Sequence, residues 1–175
     1  MGSKDLKHGK MRGEVHKERM PQQQKTLYVV SACLTGENCR YDGGNCRNRK
    51  IEALVERGEA VAVCPEILGG LKVPRDPCEI RRGKNGKIRA VTLSGRNCTR
   101  ALKRGARKAL EIVQNLGIEQ AVLKSRSPSC GFGRIYDGSF SGRLTRGNGI
   151  TADILSKNGI RIYTECDYLH VSQET

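Results

Sequence analysis

The stretch Lys124-Ser-Arg-Ser-Pro-Ser-Cys-Gly-Phe-Gly-Arg-Ile-Tyr-Asp-Gly138 decides how this chain is read. It follows Gln120-Ala-Val-Leu123, a short apolar run that predicts a buried strand. Pro128, Gly131 and Gly133 then break regular structure. Cys130 sits in that break between serines and glycines, small residues that let the backbone come close to something large. Lys124, Arg126 and Arg134 are expected to favour its thiolate.

Working outward, an apolar strand that ends in a cysteine recurs twice upstream. Thr26-Leu-Tyr-Val-Val-Ser-Ala32 runs into Cys33, and Ala60-Val-Ala-Val63 runs into Cys64-Pro-Glu66. Asn48 is placed to cap a helix from Arg49 to Arg57 that stops at Gly58. A second, longer helix opens at Asn97 or Thr99 and ends at Gly117. Its basic face (Arg100, Lys103, Arg104, Arg107, Lys108) reads as solvated. Between these helices, Glu79-Ile-Arg-Arg82 and Lys87-Ile-Arg-Ala-Val-Thr92 flank an Asn-Gly turn, the signature of a hairpin. After the organising loop, a helix from Thr151 to Gly159 leads to a strand Ile160-Arg-Ile-Tyr163 and then Glu165-Cys166. Strand and helix alternate, so the expected fold is α/β. It is a small parallel or mixed sheet flanked by helices, three-layered and Rossmann- or flavodoxin-like, with a hairpin insertion. In such sheets ligands bind at the carboxyl ends of the strands. Here those ends carry Cys33, Cys64 with Glu66, Cys130, and Glu165 with Cys166.

The 175 residues suit one domain over 26–175 behind a disordered basic tail, 1–25. That tail holds five lysines and two arginines against three acidic residues, and no apolar region of a secretory signal. No run of the chain approaches a membrane span. A net charge of +14 draws anionic partners, yet two phenylalanines and no tryptophan leave no visible platform for stacking single strands. Eight cysteines without a signal peptide point to a reducing, cytoplasmic setting, and so to metal, cluster or catalytic thiols rather than disulfides.

The long cysteine spacings exclude a zinc knuckle. Three thiolates on a [4Fe–4S] cluster would leave one iron open to substrate. Two competing readings stand beside this one. Cys33, Cys39 and Cys46 are close enough in sequence for a local site, and a free cysteine is often only a small buried apolar residue. Acid–base candidates lie alongside: Glu66, Asp42 in the Arg40-Tyr-Asp-Gly-Gly44 turn, and Ser127 and Ser129 around Pro128. Asp137 reads as a turn residue. Cys39, Cys46, Cys78 and Cys98 show no partner signal, and His8, His16 and His170 sit in polar ends.

Taken together, several segments resemble the 2-thiouracil desulfurase family, long catalogued as a domain of unknown function. They are Val30-Ser-Ala-Cys-Leu34, Cys39-Arg-Tyr-Asp-Gly-Gly44, Val63-Cys-Pro-Glu66, Leu68-Gly-Gly-Leu71, Pro74-Arg75, Glu79-Ile80, Leu123-Lys-Ser-Arg-Ser-Pro-Ser-Cys-Gly131, Ile135-Tyr-Asp-Gly138, Phe140-Ser-Gly142 and Gly147-Asn-Gly-Ile-Thr-Ala152. The resemblance spans about Tyr28 to Glu165, and the cysteines at 46, 78 and 98 depart from it. It implies a compact α/β domain whose [4Fe–4S] cluster is held by Cys33, Cys64 and Cys130. The fourth iron would accept sulfur from a small thiolated base while water replaces it on carbon, with no net redox change. Glu66 is then the acid–base group, Ser127 its helper and Asp42 a second candidate. The alternative function is a basic RNA-binding module with a structural metal or cluster site, touching RNA through its tail.

Overall fold

The computed structural model describes residues 27–83 and 85–171, so the basic tail assigned to 1–25 lies outside the described residues. Strand β1 (Tyr28–Ser31) pairs in parallel with β2 (Ala60–Val63) on one side and with β5 (Gln120–Leu123) on the other. Strand β8 (Arg161–Thr164) extends the sheet beyond β5, giving the order β2-β1-β5-β8, all parallel. Taken as strands of this sheet alone, that order is 2-1-3-4, the doubly wound pattern that reverses direction between its first and third strands.

Side chains alternate across the strands, as a pleated sheet requires. Val30 and Val122 face helices α1 (Arg49–Glu56) and α5 (Glu165–Val171), in a cluster with Ile51, Leu54 and Tyr168. Val29, Ala121 and Leu123 face α3 (Thr99–Asn115) and α4 (Ile150–Lys157), in a cluster with Val113 and Leu155. Because both faces are covered, β1 and β5 read as continuous apolar runs rather than alternating ones. Helix α1 begins as the sequence predicts, with the Asn48 side chain accepting from the N–H groups of Lys50 and Ile51.

The hairpin also forms where expected, as β3 (Cys78–Arg82) paired with β4 (Ile88–Thr92), outside the main sheet. Four short elements go beyond the sequence reading. Cys64 is followed by a four-residue helix, α2 (Pro65–Leu68). Strands β6 (Arg134–Tyr136) and β7 (Leu144–Arg146) make a second hairpin, and α5 follows β8 directly. Strands of three residues carry too little periodicity to be seen in sequence.

Two close approaches position the loops beyond the strand ends. Helix α2 crosses α3 where both present glycine. A Cβ on Gly105 would overlap the carbonyl oxygen of Pro65 and come within 2.9 Å of Gly69 N. A Cβ on Gly149, the residue before α4, would overlap the backbone of Ser129. A polar tie closes the far edge. Glu165 accepts from Lys124 Nζ, from Ser125 N at 2.7 Å and from Ser125 Oγ at 2.7 Å. Burial would raise the Glu165 carboxyl, but the Lys124 and Ser125 hydrogen bonds outweigh it and hold the group below its ordinary value.

Alanine in a helix interior usually stabilises by about 0.5–1 kcal/mol relative to glycine. Gly105→Ala is expected to do the opposite, costing about 1–3 kcal/mol by overpacking against α2. The shift in urea midpoint reads out that sign. For Glu165, a depressed carboxyl contributes stability that is present above the ordinary value of 4.5 and lost as pH falls below it. Wild type is therefore expected to exceed Glu165→Gln in denaturant midpoint at pH 7, with the gap closing as pH drops through 4.5.

Candidate functional site

Parallel strands deliver their carboxyl ends to one edge, and there a cavity of about 560 Å³ opens. That volume is within the usual range for small-molecule sites. Its lining draws on every strand of the main sheet: Cys33 follows β1, Cys64 and Glu66 follow β2, Cys130 follows β5 and Glu165 follows β8. Cys33 sits in a 3₁₀ turn, Ala32–Thr35, closed by Gly36 in the left-handed region (φ 90°). Cys64 immediately precedes α2, with its thiol facing the carbonyl of Cys39 at 3.9 Å.

Cys130 is held by its own loop. Ser127 Oγ accepts from the N–H groups of Ser129 and Cys130, each at 3.1 Å. The start of α4 braces the loop from behind: Ile150 N donates to Pro128 O at 2.9 Å, Thr151 N to Ser129 O at 2.8 Å, and Ser129 Oγ meets Thr151 Oγ1 at 2.8 Å. With both N–H groups bound to its oxygen, Ser127 keeps its hydroxyl hydrogen to donate, and Ser127 lines the cavity.

The expectation that lysine and arginine favour a Cys130 thiolate is corrected by burial. Arg126 and Arg134 are exposed, and Lys124 is committed to Glu165. Desolvation wins, and the Cys130 thiol is pushed up to about 12. Crowding acts on its neighbours. Cys39, at hydrogen-bonding reach of Cys33 and Cys64, is raised to about 11, chiefly by its contact with Cys33. Cys64 is raised too, by its hydrogen bond with Cys39 and then by burial. Such thiols ionise when a metal centre takes the place of the proton.

Glu66 lines the same cavity and pairs with Arg75, whose Nε and NH2 reach Oε2 at 2.9 and 2.6 Å. The side chains are 16% and 12% exposed, so this is a largely buried pair. Arg75 also donates to Cys39 O and Lys72 O, which fixes it as a strut. Glu66 Oε1 has no hydrogen-bond partner among the described residues. Asp42 is placed elsewhere. It lies outside the cavity lining, 44% exposed, in an ion pair with Arg40 and with Gly44 N donating to it. The Arg40 contact, then the Gly44 N–H, lower its carboxyl to about 2.

Sequence reasoning left four features of the site unassigned: the Arg75 strut, the Lys124–Ser125–Glu165 cluster, and the placement of Cys39 and of Cys78. The proline-braced segment Pro74-Arg75-Asp-Pro77 was the available signal for Arg75. Cys78 lines the cavity and shares a hydrogen bond with Cys98 that raises Cys78 and lowers Cys98. No local sequence pattern links two cysteines twenty residues apart.

The donors fit a thiolate-held cluster in chemistry and placement. All eight cysteines are free, and thiols are soft ligands that select iron–sulfur clusters, zinc or copper(I). Among the described residues, no three His, Cys, Asp or Glu side chains close round a single ion, whereas Cys33, Cys64 and Cys130 share one cavity wall system. Among the described residues, no helix is long and apolar enough to cross a membrane.

Comparison with known proteins agrees with this geometry. The chain is 42% identical over 144 residues to the uncharacterized protein YbbK of Bacillus subtilis (strain 168), covering 79% of this chain and 95% of that relative. It superposes on the solved structure of a [4Fe–4S]-dependent thiouracil desulfidase, TudS, with a TM-score of 0.75 at 41% identity, covering 85% of this chain and 99% of the other. The profile of the 2-thiouracil desulfurase family matches residues 28–167, most of the chain, and the protein belongs to that family.

Proposed function

We propose that this protein removes sulfur from a thiolated pyrimidine of the 2-thiouracil kind. Oxygen from water takes its place, and sulfide is released. The observation that carries the reading is the convergence of Cys33, Cys64 and Cys130, from three adjacent parallel strands, on a cavity that also holds Glu66. The family match and the likeness to a [4Fe–4S]-dependent desulfidase support it.

Cys33, Cys64 and Cys130 would hold the cluster. A [4Fe–4S] cluster with three thiolate ligands supplies an open, Lewis-acidic iron for the leaving sulfur. The chain's own residues do the rest. Arg75 binds Glu66 at Oε2 and orients it, which leaves Oε1 to take a proton from water. The activated oxygen bonds to the thiocarbonyl carbon as the carbon–sulfur bond breaks. Both protons of the water leave with sulfur as hydrogen sulfide, so no external electrons are needed. Ser127 holds the Cys130 backbone and presents its hydroxyl to the cavity. Free thiols and an oxygen-sensitive cofactor suit the reducing cytoplasm. The basic RNA-binding module gains no support from the comparisons, and its tail lies outside the described residues.

Protein purified without oxygen is expected to carry about four irons and four acid-labile sulfides per chain. Cys33→Ala, Cys64→Ala and Cys130→Ala should each lose them. Full iron in any one of these variants removes that cysteine from the ligand set. Loaded wild type should release sulfide from 2-thiouracil, and a silent enzyme across a panel of thiolated bases refutes the proposed reaction. Glu66→Gln should keep its iron and lose about 100-fold or more in kcat. Asp42→Asn, outside the cavity, should stay within about twofold.

A further inference from the structure

Lys124 ends β5, and its backbone N–H donates to Ser31 Oγ at 2.9 Å, which ties the ends of β5 and β1 together. Its side chain is 22% exposed and that of its partner Glu165 is 15% exposed, so a charge pair stands in a partly desolvated wall. The hydrogen bonds of this cluster can be accounted for in full. Glu165 Oε1 accepts from Lys124 Nζ and Ser125 Oγ, and Oε2 accepts from Ser125 N. Ser125 Oγ accepts from Lys124 Nζ at 3.1 Å. An ammonium has three N–H donors. Two are satisfied within the cluster, and Lys124 itself lines the cavity. The third N–H has no partner among the described residues.

We propose that Lys124 is a further catalytic residue, donating its third N–H to the ring carbonyl oxygen of the thiolated pyrimidine. This rests on the reaction proposed above. In a thiolated pyrimidine the ring carbonyl is conjugated with the ring nitrogens and the thioamide, so its oxygen carries partial negative charge that an N–H donor can bind. A cation fixed in a partly desolvated wall stabilises that charge far better than water does. Glu165 and Ser125 hold the ammonium in place, so little reorganisation is needed when substrate arrives. The site would accordingly prefer thiolated bases that keep a ring carbonyl over thio-compounds that lack one.

The test uses anaerobically purified, cluster-loaded protein and Lys124→Met. Iron content should match wild type. The rate on 2-thiouracil should fall by about 100-fold. On 2-thiopyrimidine, which lacks the carbonyl, it should fall by less than about threefold. Binding of uracil, the carbonyl-bearing product, should weaken by about tenfold, a readout that requires no turnover. Lys124→Gln repeats the measurement if the methionine variant folds poorly. Equal losses on the two thio-compounds, unchanged uracil binding, or loss of iron would each overturn the assignment. If wild type desulfurates neither compound yet uracil binding still depends on Lys124, the proposed reaction fails while the contact to the carbonyl stands.

Discussion

Parallel pairing of β1 with both β2 and β5 sets the terms for everything else in this molecule. A parallel ladder places all carboxyl ends on one edge, and crossing helices cover both faces. With the order β2-β1-β5-β8, the chain leaves β1 toward one side and returns on the other, so the loops after β1 and β5 part and open a crevice. The cavity is that crevice. The side chains that reach it are those just past strand ends, which is where Cys33, Cys64, Cys130 and Glu165 stand.

A crevice alone does not hold thiols at useful positions, because loops are mobile unless something packs against them. Here two helices do the packing at glycine contacts. Helix α2 lies on α3 through Gly69 and Gly105, which places Cys64 and Glu66. The start of α4 lies on the Cys130 loop through Gly149, and the loop folds on itself through Gly131. In each case backbone meets backbone, and a methyl group has no room. Ser129 and Thr151, both fully buried, add a hydrogen bond to the second contact. The loops thus take their rigidity from the scaffold.

Two ion pairs stand in the cavity wall, partly withdrawn from water, where a charge needs a partner. Arg75 neutralises Glu66 from one wall, and Lys124 and Glu165 neutralise each other on another. A buried ion pair is weak evidence for stability. Each instead leaves one polar function unspent, Oε1 on Glu66 and an N–H on Lys124. The thiols between them are all raised, Cys39 chiefly by its contact with Cys33, Cys64 by its hydrogen bond with Cys39 and Cys130 by burial. Proximity of arginine and lysine in sequence gave the wrong sign for Cys130, because exposed cations are screened while desolvation is not.

By itself the amino-acid sequence determined the alternation of strands and helices, the Asn48 cap, the Asn-Gly hairpin and the cysteines at three strand ends. These are short-range matters: periodicity, capping and turn chemistry act within a few residues. The specific segments around Cys33, Cys64 and Cys130 also carried the family. Only the tertiary structure decided the order of the strands and which side chains meet. It brought Arg75 to Glu66 and Glu165 to Lys124, 41 residues apart. It also set Cys39 against Cys33 and Cys64, and moved Asp42 out to a surface turn with Arg40. The physical reason is that contacts between distant segments depend on how whole elements pack, and no local pattern of residues encodes the direction in which a loop turns once its strand has ended.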